Sequence, residues 1–129
     1  IDDCVRLGYA DDASFALSQA RGKRRAGRSK LAIQRALGVH ALDNTFIDQA
    51  VADADEGISD GELAAALRHA ARRRLGPYAR NDVDQPTRQR HLASFARAGF
   101  SLAIARQVMD LGSDDEADTL AGDLRTPVG

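Results

Sequence analysis

Apolar residues recur along the chain at intervals of three and four, the spacing of one helix face, rather than at the interval of two that a strand would show. Ile1, Cys4 and Val5 follow that spacing and stop at Leu7-Gly8. Gly8 suits the left-handed position just past a helix end, Tyr9 would fold back on the last turn, and Asp11 or Asp12 would cap the next helix. That helix is predicted from about Ala13 to Lys23, with Phe15, Ala16 and Ala20 inward. Ser29 then caps a second helix containing Leu31, Ala32, Ile33, Ala36 and Leu37, which ends at Gly38-Val39. A third begins at an Asp43 or Asn44 cap and carries Phe46, Ile47, Ala50, Val51 and Ala54.

The opening signal returns. Gly57-Ile58-Ser59-Asp60 repeats Gly8-Tyr9-Ala10-Asp11 as glycine, apolar, small, aspartate, at an offset within the range of helical repeats. A long helix follows with Leu63, Leu67, Ala70, Ala71 and Leu75, and Leu75-Gly76-Pro77 stops it. Residues 76–85, GPYARNDVDQ, are breaker-rich and read as an exposed loop. Pro86 opens a helix with Leu92, Phe95, Ala96 and Gly99, and Ser101 caps a last one with Ile104, Ala105, Val108 and Leu111. Leu31 precedes Gly38 as Leu92 precedes Gly99, and Ile47 precedes Val51 as Ile104 precedes Val108. The expected organisation is all-α: residues 1–8 as the end of a truncated first repeat, 9–56 and 57–111 as two three-helix repeats, and 112–129 as an acidic, disordered tail.

Composition sharpens this picture. With 129 residues and 43% of them hydrophobic, the chain can build one compact domain or a few small bundles, not a large multidomain enzyme. Aromatics at 5% and the lack of Trp favour helices packed through small and aliphatic side chains. One cysteine, Cys4, closes no intramolecular disulfide, and no apolar run is long enough for a span, so the expected setting is the cytoplasm, away from any membrane. The net charge of −1 hides strong segregation. Residues 13–40 carry Arg21, Lys23, Arg24, Arg25, Arg28, Lys30 and Arg35 with no acid, and residues 41–62 carry only acids: Asp43, Asp48, Asp53, Asp55, Glu56, Asp60 and Glu62.

Three segments carry a resemblance to a known family. LGYADDASFA at 7–16, a basic run before a short helix ending in LGV at 37–39, and RAGFSLAIARQVMD at 97–110 together resemble the RecX family, regulators of the RecA recombinase. The match in order and spacing spans about residues 1–111. It implies tandem three-helix repeats in an elongated, curved molecule that lodges in the groove of the RecA filament. It also implies restraint of the filament's recombinase, ATPase and co-protease activities in DNA repair and the SOS response, by a monomer with no catalytic residues and no cofactor. The longer joint from Gly38 to Ile47 and the 76–85 loop depart from the family pattern.

The candidate contact residues are basic. Arg21, Lys23, Arg24, Arg25, Arg28 and Lys30 would meet a groove lined by acids or phosphates, and Arg68, Arg72, Arg73 and Arg74 hold the equivalent place in the second repeat. On this reading, reversing Arg24 and Arg25 together should weaken filament binding without unfolding the chain. A solvated, solubilising face is the alternative for both sets. The other functional class is a helical module that binds single- or double-stranded DNA directly, through Gln34 and Arg35 or through Arg88, Gln89 and Arg90. His40, His69 and His91 lack metal-ligand spacing and read as surface or edge histidines. No phosphate-binding loop, GxSxG, HExxH or CxxC motif is present, so ATP turnover would belong to the partner. Asp11 and Asp12 read as caps rather than acid-base groups, and Tyr78 is the aromatic placed to stack on a base or a partner.

Overall fold

The computed structural model describes residues 2–39 and 42–125, with side chains described from Asp12 onward. Seven α-helices form among them: α1 (Asp2–Arg25), α2 (Lys30–Gly38), α3 (Asn44–Ala54), α4 (Gly61–Arg73), α5 (Gln85–Arg97), α6 (Leu102–Met109) and α7 (Asp114–Asp123). One isolated bridge, Ile58 with Arg125, is the extended pairing among the described residues. The fold is all-α, as the spacing predicts.

Most helix starts lie where the sequence puts them. The Ser29 hydroxyl accepts the Ala32 N–H at 3.0 Å, the Asp43 carboxylate accepts the Thr45 N–H at 2.9 Å, and Ser101 caps α6 through the Ile104 N–H. Each satisfies one of the amides that a helix start leaves free. Asp60 caps α4 in the same way through the Leu63 N–H. Helix α4 ends at Arg73, where Arg74 turns into the left-handed region at φ 56° and Leu75 N–H reaches back to the Ala70 carbonyl.

Two apolar clusters hold these helices. The first joins α1, α2 and α3 through Ala16, Ala20, Ile33, Leu37, Ile47 and Val51. The second centres on α4, where Leu63, Ala64, Ala65, Ala66 and Leu67 are buried in succession. Five buried positions in a row exceed a single helix stripe, so α4 is covered on several sides. Phe95 of α5, Phe100 of the α5–α6 joint, and Ala105 and Val108 of α6 fill one side, and Ala117 of α7 with Leu124 at its end complete the cluster. Phe15, predicted inward, stays partly exposed while Ala16 and Ala20 take the core positions.

Three expectations are corrected. Helix α1 runs unbroken through residues 7–12, so no stop or cap forms at LGYADD, and Asp12 lies exposed within the helix. An interior glycine costs a helix about 1 kcal/mol, which is small beside the cost of nucleating a new helix. The side chains of Cys4, Tyr9 and Asp11, and His40 as a whole, lie outside the described residues. The echo GISD does act as a joint: Gly57 adopts φ 82° and Asp60 caps α4.

Residues 114–123 form helix α7 instead of a disordered tail. Ser113 accepts the Glu116 N–H and Glu116 accepts the Gly112 N–H at 2.8 Å, a reciprocal capping arrangement. The 76–85 loop is likewise partly built in, with a 3-10 turn at Gly76–Tyr78 and Val83 packed on the second cluster.

The two clusters meet where the end of α1 passes α4. Gly27 has φ 80°, and a Cβ there would stand 2.8 Å from the His69 backbone nitrogen. Replacement of Gly27 by Ala should therefore cost about 2–4 kcal/mol, combining left-handed strain with a backbone clash. Gly22, helical and with open space around it, should gain about 0.5–1 kcal/mol on the same replacement. Urea unfolding of the two variants beside the parent chain checks both signs.

Candidate functional site: an arginine-walled groove

The basic stretch is not one surface. Arg24 is only 4% exposed. Its Nε donates to Asp55 Oδ1 and its Nη2 to Asp55 Oδ2, both at 3.0 Å, in a bidentate pair across the end of α3. Its Nη1 donates to Glu62 Oε1 at 2.8 Å and to the Arg28 carbonyl at 3.1 Å. Glu62 Oε1 also accepts the Lys30 N–H at 2.9 Å, at the start of α2. Gly61 leaves room for this, since a Cβ there would overlap the Asp55 carboxylate. One guanidinium thus ties the ends of α1 and α3 and the starts of α2 and α4 into a clamp.

Arginines of α4 close the same joint from the other side. Arg68 Nη1 donates to the Arg24 carbonyl at 3.0 Å and Arg72 Nη1 to the Ala26 carbonyl at 2.9 Å. The Arg24 carbonyl, which also accepts the Gly27 N–H at 3.0 Å, and the Ala26 carbonyl just past the helix end thus receive cationic donors at the negative pole of α1. These contacts correct the sequence reading in two places. Arg24 is withdrawn from the surface, so reversing its charge would break the clamp rather than probe a partner. Arg68 is engaged at the joint and is partly buried.

Beside the joint lies a groove of about 570 Å³ whose walls include Arg28, Arg35, Arg72, Arg73 and Arg97. All five are exposed, and the groove's lining holds no aspartate or glutamate. Arg28 and Arg35 come from the α1–α2 joint and from α2; Arg72 and Arg73 come from α4, and Arg97 from α5. The remaining lining is mostly small: Ala26, Gly27, Ala32, Ser94 and Ala98. The walls are held together by the Ser29 hydroxyl, which donates to the Ala98 carbonyl at 2.6 Å, and by Gly99, whose missing Cβ admits Ser29 and Leu31.

His69 reaches the groove from below. Its ring packs on Phe95 and Phe100 with centroids 5.3 and 5.6 Å away, and Nε2 lies 3.4 Å from the Ser94 hydroxyl. Burial lowers its pKa, and the charges of Arg73 and Arg28 lower it further. His91, away from the groove, is also held below its ordinary value by burial and by Arg90, and its Nδ1 accepts the Gly76 N–H at 3.0 Å. No group of His, Cys, Asp and Glu suited to a metal ion occurs among the described residues.

Of the ten basic residues singled out from the sequence, the groove gathers Arg28, Arg72 and Arg73. Lys30 faces Asp48 at 3.8 Å, and Arg21, Lys23, Arg25 and Arg74 lie outside the lining. Arg35 and Arg97 belong to the groove but were not among the ten. Their meeting depends on the approach of Gly99 to Ser29, a contact between positions 70 residues apart that no local pattern announces. Tyr78 is half-buried against the second cluster, and its hydroxyl donates to Asp118 at 2.7 Å; burial and that bond raise its pKa.

The chain is 36% identical over 107 residues to the regulatory protein RecX of Myxococcus xanthus, covering 82% of this chain and 56% of the relative. It is 31% identical over 100 residues to that of Xanthomonas axonopodis pv. citri (78% of this chain, 57% of the relative) and 28% over 111 residues to that of Agrobacterium fabrum (86% and 57%). The chain therefore spans a little over half the length of these curated relatives. No family model and no solved structure matches it. Among the described residues no helix is long and apolar enough to cross a membrane.

Replacing Arg24 by Met should cost about 2–4 kcal/mol, below the fully buried limit because the Asp55 and Glu62 side chains keep 20% and 29% exposure. Replacing exposed Arg25 by Met should change stability by no more than about 0.5 kcal/mol. Chemical denaturation of the pair of variants separates the two cases. For His69 and His91 the folded pKa lies below the ordinary 6.5, so the unfolded chain takes up protons first. Stability should be full above about pH 6.5 and fall as pH drops below it, and a His91→Gln variant should show a shallower fall in midpoint between pH 7 and 5.

Proposed function

Since the chain belongs to the RecX family of regulatory proteins, we propose that it binds the RecA nucleoprotein filament and inhibits the filament's recombinase, ATPase and co-protease activities. It acts as a non-enzymatic regulator in the cytoplasm, in DNA repair and the SOS response, as a monomer built from tandem three-helix repeats. The observation that carries this reading is the groove between the two helical groups, in which five exposed arginines stand with no acid among the lining residues. A filament of recombinase on DNA presents both carboxylates and phosphates, and exposed guanidiniums pair with either through charge-assisted bonds. Of the basic residues read from the sequence, Arg28, Arg72 and Arg73 supply the contact in this proposal, joined by Arg35 and Arg97.

A second reading, direct binding to DNA without the recombinase, is favoured by the same arginines. The two diverge in preference. With equal amounts of recombinase-coated single strand, bare single strand and duplex, the regulator should favour the coated strand by about tenfold or more and should slow its ATP turnover. Equal affinity for all three, with turnover unchanged, would contradict the regulator.

A further inference from the structure

We infer that Leu31 and Leu102, two exposed leucines where the start of α2 meets the α5–α6 joint, anchor a protein segment that presents apolar side chains flanked by carboxylates. The inference rests on the reading of the chain as a regulator of the recombinase, and places that segment on the recombinase subunit rather than on its DNA.

The fold brings the two side chains to one place from positions 71 apart. A Cβ on Gly99 would stand 3.3 Å from the Leu31 Cβ, so Leu31 lies directly over the end of α5. Three residues on, Leu102 opens α6 behind the Ser101 cap, at most about 11 Å along the chain from Gly99. Leu31 keeps 39% of its surface exposed and Leu102 keeps 54%, and neither belongs to the two apolar clusters. A lone exposed leucine needs no explanation, but two at one joint make an apolar point. The Ser29 hydroxyl on the Ala98 carbonyl at 2.6 Å ties that joint together, so the pair is in place before any partner arrives.

Charge around the pair selects the partner. Leu31 stands in the acid-free stretch 13–40, and Leu102 stands in another, 85–109. Arg35 follows Leu31 by one helical turn and Arg106 follows Leu102 by one turn, while Arg97 ends α5 two residues before Gly99. All three arginines are exposed, and no ion pair among the described residues engages them. An apolar centre flanked by arginines is the make-up of a protein interface. A nucleic-acid strand would leave the leucines unused, since its backbone offers them phosphate and sugar, and they offer its bases no aromatic face. The complementary surface is therefore an acidic segment whose apolar side chains close over the leucines while its carboxylates reach Arg35, Arg97 and Arg106.

The test uses the full chain, with the recombinase itself as probe, both free of DNA and coated on a single strand, and bare fluorescein-labelled oligo-dT beside it. Leu31→Ser/Leu102→Ser removes the pair, and Leu102→Ser alone, at the more exposed position, serves if the double variant does not fold. Val39→Ser is the control, removing an apolar side chain that is 81% exposed at the other end of α2. Thermal melting identifies the variants that fold. The double variant should bind both forms of the recombinase about tenfold or more weakly, and Leu102→Ser alone about threefold more weakly. Oligo-dT binding should change by less than about twofold in every variant, as should recombinase binding by Val39→Ser. Parent-like binding of the recombinase by the folded leucine variants, or an equal loss on oligo-dT, would overturn this inference alone. A parent chain that binds neither form of the recombinase would overturn the regulator reading and this inference with it.

Discussion

The structure turns on one buried guanidinium. Arg24 is the point at which four helix ends meet, and its partners come from both sides of the chain's charge divide: the acid-free stretch supplies the arginine, and the acidic stretch supplies Asp55 and Glu62. The segregation of charge along the sequence is thus partly an internal pairing. A buried arginine of this kind is stable only while all its donors are matched, and here Nε, Nη1 and Nη2 each have an acceptor. The clamp fixes how the first helical group sits against α4, and through that it sets the separation of the groove's walls. Arg68 and Arg72, donating to the end of α1, reinforce the same joint from α4.

The local grammar of the chain was legible where short-range chemistry decides. Ser29, Asp43 and Ser101 are caps because a hydroxyl or carboxylate next to a free amide turn has one strong use. The core positions Ile33, Leu37, Ile47, Ala50 and Val51 followed from helical spacing. Two identical-looking signals nevertheless had different outcomes. Gly57 with Asp60 makes a joint, whereas the matching Gly8 lies within a continuous helix, since nothing in LGYADD forbids helical dihedrals. The acidic C-terminal stretch departs from expectation for the opposite reason. Ser113 and Glu116 form a capping pair, and Ala117, Leu120, Ala121 and Leu124 fall at helical spacing, yet the acid-rich composition concealed a pattern that was present.

The candidate site was less legible, because its geometry comes from long-range approach. Arg28 and Arg73 lie 45 positions apart, and Arg35 and Arg97 lie 62 apart. They converge because Gly27 lets the end of α1 lie against the His69 backbone and Gly99 lets the end of α5 lie against Ser29. Counting basic residues located the right region but could not separate a clamp arginine from a groove arginine. Burial makes that division: Arg24 does internal structural work, Arg68 supports the joint, and the five exposed arginines face outward.

Whether the Arg24 clamp holds the two groove walls at one separation is read from a distance measurement across the groove. With Cys4 replaced by Ser, spin labels on Gly38→Cys at the end of α2 and Gln89→Cys on α5 report that separation by pulsed electron resonance. The expected result is a single narrow distance distribution in the parent chain and a broadened or shifted one when Arg24→Met is added, with helix content retained. An unchanged narrow distribution in the folded Arg24→Met variant would mean that Arg24 does not set the separation of the walls.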